Sequence, residues 1–75
     1  MRLCDLNPER RARILQAARE EPTRERAFRM IARELNVPLA VVARDSGIPY
    51  QRVERILNGR APARQEDLRA IAEAL

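Results

Sequence analysis

The stretch that most constrains the fold is LAVVARDSGIPYQRVERILNG, residues 39–59. Apolar residues recur at helical spacing on both sides of Gly47, the residue most tolerant of the backbone angles a tight turn demands. Pro38 and Pro49 each stand where a helix begins, since proline is accommodated in a first turn. Asn58-Gly59 supplies a stop. The spacing therefore predicts two short helices, about 38–45 and 49–57, joined at Gly47. In the second, Val53, Ile56 and Leu57 can face inward, while Tyr50, Gln51, Arg52, Glu54 and Arg55 face water. In the first, Leu39, Val42 and Ala43 point inward and Val41 outward.

The rest of the chain reads as helix too. Asn7-Pro8-Glu9 combines a capping side chain, a first-turn proline and an acid at the positive helix end. The helix it opens runs to about Glu20, with Ile14, Leu15 and Ala18 on one face. Glu21-Pro22-Thr23 breaks it, and Thr23 caps a helix over about 23–35 whose inward residues are Ala27, Phe28, Ile31 and Leu35. Asn36 closes that helix in the left-handed conformation. A last helix, about 64–75, presents Leu68, Ile71, Ala72 and Leu75 on one stripe. The expected fold is all-α, a single five-helix domain over residues 1–75, with no repeat or linker.

A chain of 75 residues with 45% hydrophobic and 35% charged residues suits one small globular domain. With no Trp, one Phe and one Tyr, its core must be aliphatic. Dimerisation would add stability to so small a domain. Net charge is +4, and all 15 basic residues are Arg. Arg bonds phosphate and guanine bidentately, which fits a nucleic-acid partner, although GC-rich codon usage also yields an all-Arg inventory. The charge is not concentrated in the motif. Residues 1–37 hold nine Arg against six acids, and residues 38–75 hold six against five. The motif must argue from position.

Other function classes find little in the chain. There is no His, which removes the commonest general base and metal ligand. Cys4 is a single cysteine without a His partner, expected to be inert in a loose N-terminus. No phosphate loop, zinc spacing or calcium loop occurs. No catalytic residue, cofactor, metal or small-molecule ligand is expected. Neither is a signal peptide, an anchor or a membrane span, so the expected location is cytoplasmic, in association with the nucleoid.

A helix that reads a DNA groove needs an apolar side to anchor it and an outer side that bonds base edges. Gln pairs with adenine and Arg with guanine. Residues 49–57 meet both needs. A second register, IARELNVPLAVVARDSG, would offer Leu39, Ala40 and Val41 to the bases with Arg44 as the one strong donor. Such a surface discriminates base edges poorly, so the reading helix is placed at 49–57.

Ala43, Gly47-Ile48, Val53, Ile56, Asn58-Gly59 and the terminal DLRAIAEAL, taken in register, resemble the helix-turn-helix domain of the phage repressor and Cro (XRE-like) family. The resemblance covers about residues 24–75 and leaves residues 1–22 as an extra N-terminal helix. It implies a lambda-repressor-like fold in which Tyr50, Gln51, Glu54 and Arg55 contact bases of double-stranded DNA in the major groove. It implies phosphate contacts from Arg52, Asn58, Arg60 and Arg64. Where the family often has a polar residue at the start of the first motif helix, this chain has Pro38 and Leu39. The function implied is a homodimeric transcriptional regulator, a phage or mobile-element repressor on an inverted-repeat operator. The alternative is a protein-interaction module or antitoxin that uses helix 7–20 as its contact.

Overall fold

Local chemistry places the helix boundaries. In the computed structural model, which describes residues 2–75, Asn7 Oδ1 accepts the Arg10 N–H at 2.8 Å and Thr23 Oγ1 accepts the Arg26 N–H at 3.2 Å. Each bond satisfies an N–H that a first helical turn leaves without a partner. The helices they open are α1, Pro8–Arg19, and α2, Arg24–Glu34. α2 ends as the sequence predicts. Asn36 is left-handed at φ 56°, the Val37 N–H reaches the Ala32 carbonyl at 2.9 Å, and the Asn36 N–H reaches Arg33 at 3.1 Å. That pair of bonds is a Schellman closure. α3, Leu39–Ser46, α4, Tyr50–Leu57, and α5, Gln65–Ala74, complete the fold. The described residues contain no strand, and they form a compact all-helical domain with principal extents of 32 × 25 × 18 Å.

The core is aliphatic, as the composition requires. Val42, Val53, Ile56, Leu57 and Ile71 are its fully buried centre, where α3, α4 and α5 meet. Ile31, Ala32 and Leu35 of α2 close one side, and Phe28 packs half-buried at the edge. No polar or charged residue is buried among the described residues. Burying one such aliphatic side chain contributes about 1.5–3 kcal/mol.

Three expectations are corrected. Leu15 is 36% exposed rather than inward. α1 packs chiefly on α2, so it buries a narrow stripe of Ile14 and Ala18, and Leu15 lies one residue, about 100°, off that stripe. On α5, Ala72 is exposed and Ala74 buried, because Ala74 stands three residues after Ile71 and stays on its stripe. Finally, the N-terminal segment is not loose. It forms a short 3-10 turn, Leu3–Asp5, and the Leu3 N–H bonds the Leu75 carbonyl at 2.5 Å. The Arg2 guanidinium donates to the Glu73 carbonyl, and Leu6 joins the core. Cys4 within this segment is exposed and free.

Two leucines test this account of the N-terminal third. Leu6→Ala is expected to lower unfolding free energy by about 2 kcal/mol or more. Leu15→Ala is expected to change it by less than about 0.5 kcal/mol. Urea denaturation of the two variants checks both, and equal effects would contradict the packing described.

Candidate nucleic-acid interface

α3 and α4 are joined by Gly47, Ile48 and Pro49. Gly47 is left-handed at φ 76°, and its N–H bonds the Ala43 carbonyl at 3.0 Å. Ser46 fastens the turn from the side. Its hydroxyl donates to the Ala43 carbonyl and accepts the Ile48 N–H, both at 3.3 Å. Ile48 then packs against the core, which sets the direction in which the chain enters α4. α4 starts after Pro49, and no side chain caps it. The Tyr50 and Gln51 N–H groups therefore have no side-chain acceptor, while the Arg52 N–H bonds the Pro49 carbonyl at 3.0 Å.

α4 is divided lengthwise. Val53, Ile56 and Leu57 are at most 1% exposed. On the other side Gln51 and Arg55 are exposed, and Tyr50 is 49% exposed at the first position. Glu54 and Arg52 are only half-exposed, so the outward face is narrower than the sequence implies. Gln51, Glu54 and Arg55 share a shallow cleft with Arg60, Ala61 and Pro62 of the following loop. That loop is held by a second Schellman closure. The Arg60 N–H bonds the Arg55 carbonyl at 2.7 Å, the Gly59 N–H bonds Ile56 at 3.1 Å, and Gly59 is left-handed at φ 73°. The closure turns the chain so that Arg60 stands beside Arg55 and the cleft has two cationic walls.

The remaining expected contacts separate. Asn58 caps α4 and opens with Arg60 onto a larger groove, whose far wall is the cap residue Thr23 and Glu25, Arg26 and Arg29 of α2. Arg52 lies on the opposite flank. Its Nη2 donates to Asp67 Oδ2 at 2.6 Å, tying α4 to the first turn of α5. The same carboxylate oxygen accepts the Arg64 N–H at 3.2 Å. Arg52 thus braces two helices, a role its sequence position did not disclose. The Arg64 side chain is exposed at the start of α5. Asp67 itself was legible only as one acid among many. Its carboxyl pKa is lowered from 3.8, first by the Arg52 hydrogen bond, against the opposing pull of burial, with help from the Arg64 N–H and the two guanidinium charges.

Among the described residues no His, Cys, Asp or Glu cluster is arranged to hold a metal ion, and no helix is long and apolar enough to cross a membrane. No protein-family model, curated protein or solved structure matches the chain.

The Asp67 brace has a pH signature. A folded-state pKa below the ordinary 3.8 means that its contribution is fully present above that value and is lost as pH falls through the lower folded-state value. Asp67→Ala, which removes both the ion pair and the acceptor for the Arg64 N–H, is expected to cost about 1 kcal/mol at neutral pH. Urea midpoints measured across the acid range should show the gap between variant and wild type closing below pH 3.8. A gap independent of pH would contradict the assignment.

Proposed function

We propose that the protein is a sequence-specific duplex-DNA-binding transcriptional regulator, with α4 as the helix that enters the major groove. The observation that carries this reading is the division of α4. One side is sealed into the core, and the other offers Tyr50, Gln51 and Arg55 beside Arg60 on a firmly closed loop. α3, the left-handed Gly47 turn and α4 then form a repressor-like helix-turn-helix. Gln51 and Arg55 bond base edges, Glu54 accepts from cytosine, and Tyr50 contacts base or sugar. Arg60, Asn58 and Arg64 hold phosphates, together with the uncapped first turn of α4. Arg52 serves the reading helix by bracing it through Asp67.

One such helix spans only a few base pairs. A homodimer on an inverted repeat, with half-sites about 34 Å apart, supplies the missing specificity. The apolar stripe of α5 is used up within the domain, since Ile71, Ala74 and Leu75 are buried. α1, with Leu15 exposed, is the better candidate for the dimer surface. Regulation would follow from occlusion of a promoter, as in a phage or mobile-element repressor acting on the nucleoid. The same exposed Leu15 favours a second reading, in which α1 docks a partner protein and the domain acts as an interaction module or antitoxin.

Selection of random duplexes by the purified protein, followed by sequencing of the bound pool, decides between them. An enriched inverted repeat supports the regulator. A pool without enrichment, together with binding insensitive to salt, sinks it in favour of the protein partner. On the enriched sequence, Arg55→Ala should relax preference at one base pair by about 1–3 kcal/mol. Arg60→Ala should weaken all sequences alike and reduce the slope of log affinity against log salt by about 0.9. If both variants bind every sequence like wild type, the contacts lie elsewhere.

A further inference from the structure

We propose that Arg26, Arg29 and Arg33 on the outer side of α2 grip the phosphate backbone of duplex DNA flanking the base pairs that α4 reads. The proposal rests on the duplex-DNA reading above and extends its footprint to a second helix. Arg60 is the link. It lines the cleft that holds Gln51, Glu54 and Arg55, and it also lines the groove whose opposite wall carries Arg26 and Arg29. Beyond that groove Arg26, Arg29 and Arg33 border one further depression on α2. The cationic surface is thus continuous from the reading helix, over the Arg60 loop, to the length of α2.

The spacing of the three residues, i, i+3 and i+7, keeps them on one side of the helix. All three are exposed. Glu21, Glu25 and Glu54 border the same track, three acids against the five arginines Arg26, Arg29, Arg33, Arg55 and Arg60. The one ion pair among these groups is Arg26 Nε to Glu21 Oε2 at 4.0 Å, with the side chains 67% and 31% exposed, a geometry in which water screens most of the attraction. Arg29 and Arg33 pair with no carboxylate among the described residues. Like charges three and four residues apart on a helix destabilise it. A row of this kind costs stability in the free protein and is relieved by a polyanion. The groove between α2 and the Arg60 loop is open, with a volume of about 690 Å³. Arg52, expected from sequence among the phosphate contacts, is engaged with Asp67. The α2 row supplies charge on the other side of the reading helix.

The test uses the full chain and a duplex of about 20 base pairs, two turns, drawn from the selected pool. Affinity is measured by fluorescence anisotropy over a range of salt. The triple variant R26Q/R29Q/R33Q should keep the wild-type circular dichroism and base preference. It should bind roughly 10- to 100-fold more weakly at about 0.1 M salt, with a salt slope shallower by about 2–3, since each phosphate contact contributes about 0.9. R26K/R29K/R33K, which keeps the charges, should retain most of the wild-type slope. If the Gln variant binds with the wild-type slope while wild type keeps its sequence preference, the α2 row is not a contact and α4 reads DNA without it. If the Lys variant loses as much slope as the Gln variant, charge is not the cause and the proposal fails. If wild type binds no duplex at all, the DNA reading falls with it.

Discussion

α3 and α4 are eight residues each, too short to hold helical form in water on their own account. Their structure depends on burial of Val53, Ile56 and Leu57 against Val42 and Ile71. That burial sets more than stability. Once residues 53, 56 and 57 point into the core, the 100° step of the helix determines where residues 51 and 55 must point. The outward face of α4 is therefore a consequence of its inward face. The same logic explains the lack of aromatic residues at the centre. Small branched side chains let three helices approach closely around one point, and Phe28 and Tyr50 are left to the periphery.

So small a core needs its edges closed. Leu6 and Ile14 extend it beyond α3, α4 and α5, and the Leu3 N–H bonds the carbonyl of Leu75. α1 and the segment before it act as a brace for α2 and α5. α4 packs on both α3 and α2. A change at Leu6, remote from α4, is thus coupled to the interface through packing rather than through any direct contact.

Helix positions, the three helix stops at Asn36, Gly47 and Gly59 and the inward side of α4 were legible from the sequence, because each depends on residues within a turn or two of one another. Asn36 and Gly47 have the predicted backbone, and Asn7 and Thr23 make the predicted caps. What was not legible depends on partners distant in the chain. Leu15 fits an apolar stripe by spacing, and only the width of the α1–α2 contact leaves it outside. Arg52 and Asp67 are fifteen residues apart, and no local rule pairs them. The same limit hid the role of Ser46, whose hydroxyl acts only once the Gly47 turn is formed. In the candidate interface, Tyr50, Gln51, Arg55 and Arg60 are exposed, while Arg52 bonds Asp67 of α5.

The distribution of charge shows the same division between local and distant information. Along the sequence the Arg residues are diluted by acids, six against five in the half that contains α4. Folding changes that balance locally. It pairs Arg52 with Asp67 on one flank and aligns Arg60 with both Arg55 and the α2 arginines on the other. A net charge of +4 could be spread evenly over such a surface, where it would steer anions weakly. Arg26, Arg29, Arg55 and Arg60 instead border connected grooves on one side of α4, together with Glu25 and Glu54. This grouping of arginines is a product of the fold, which a composition count alone does not show.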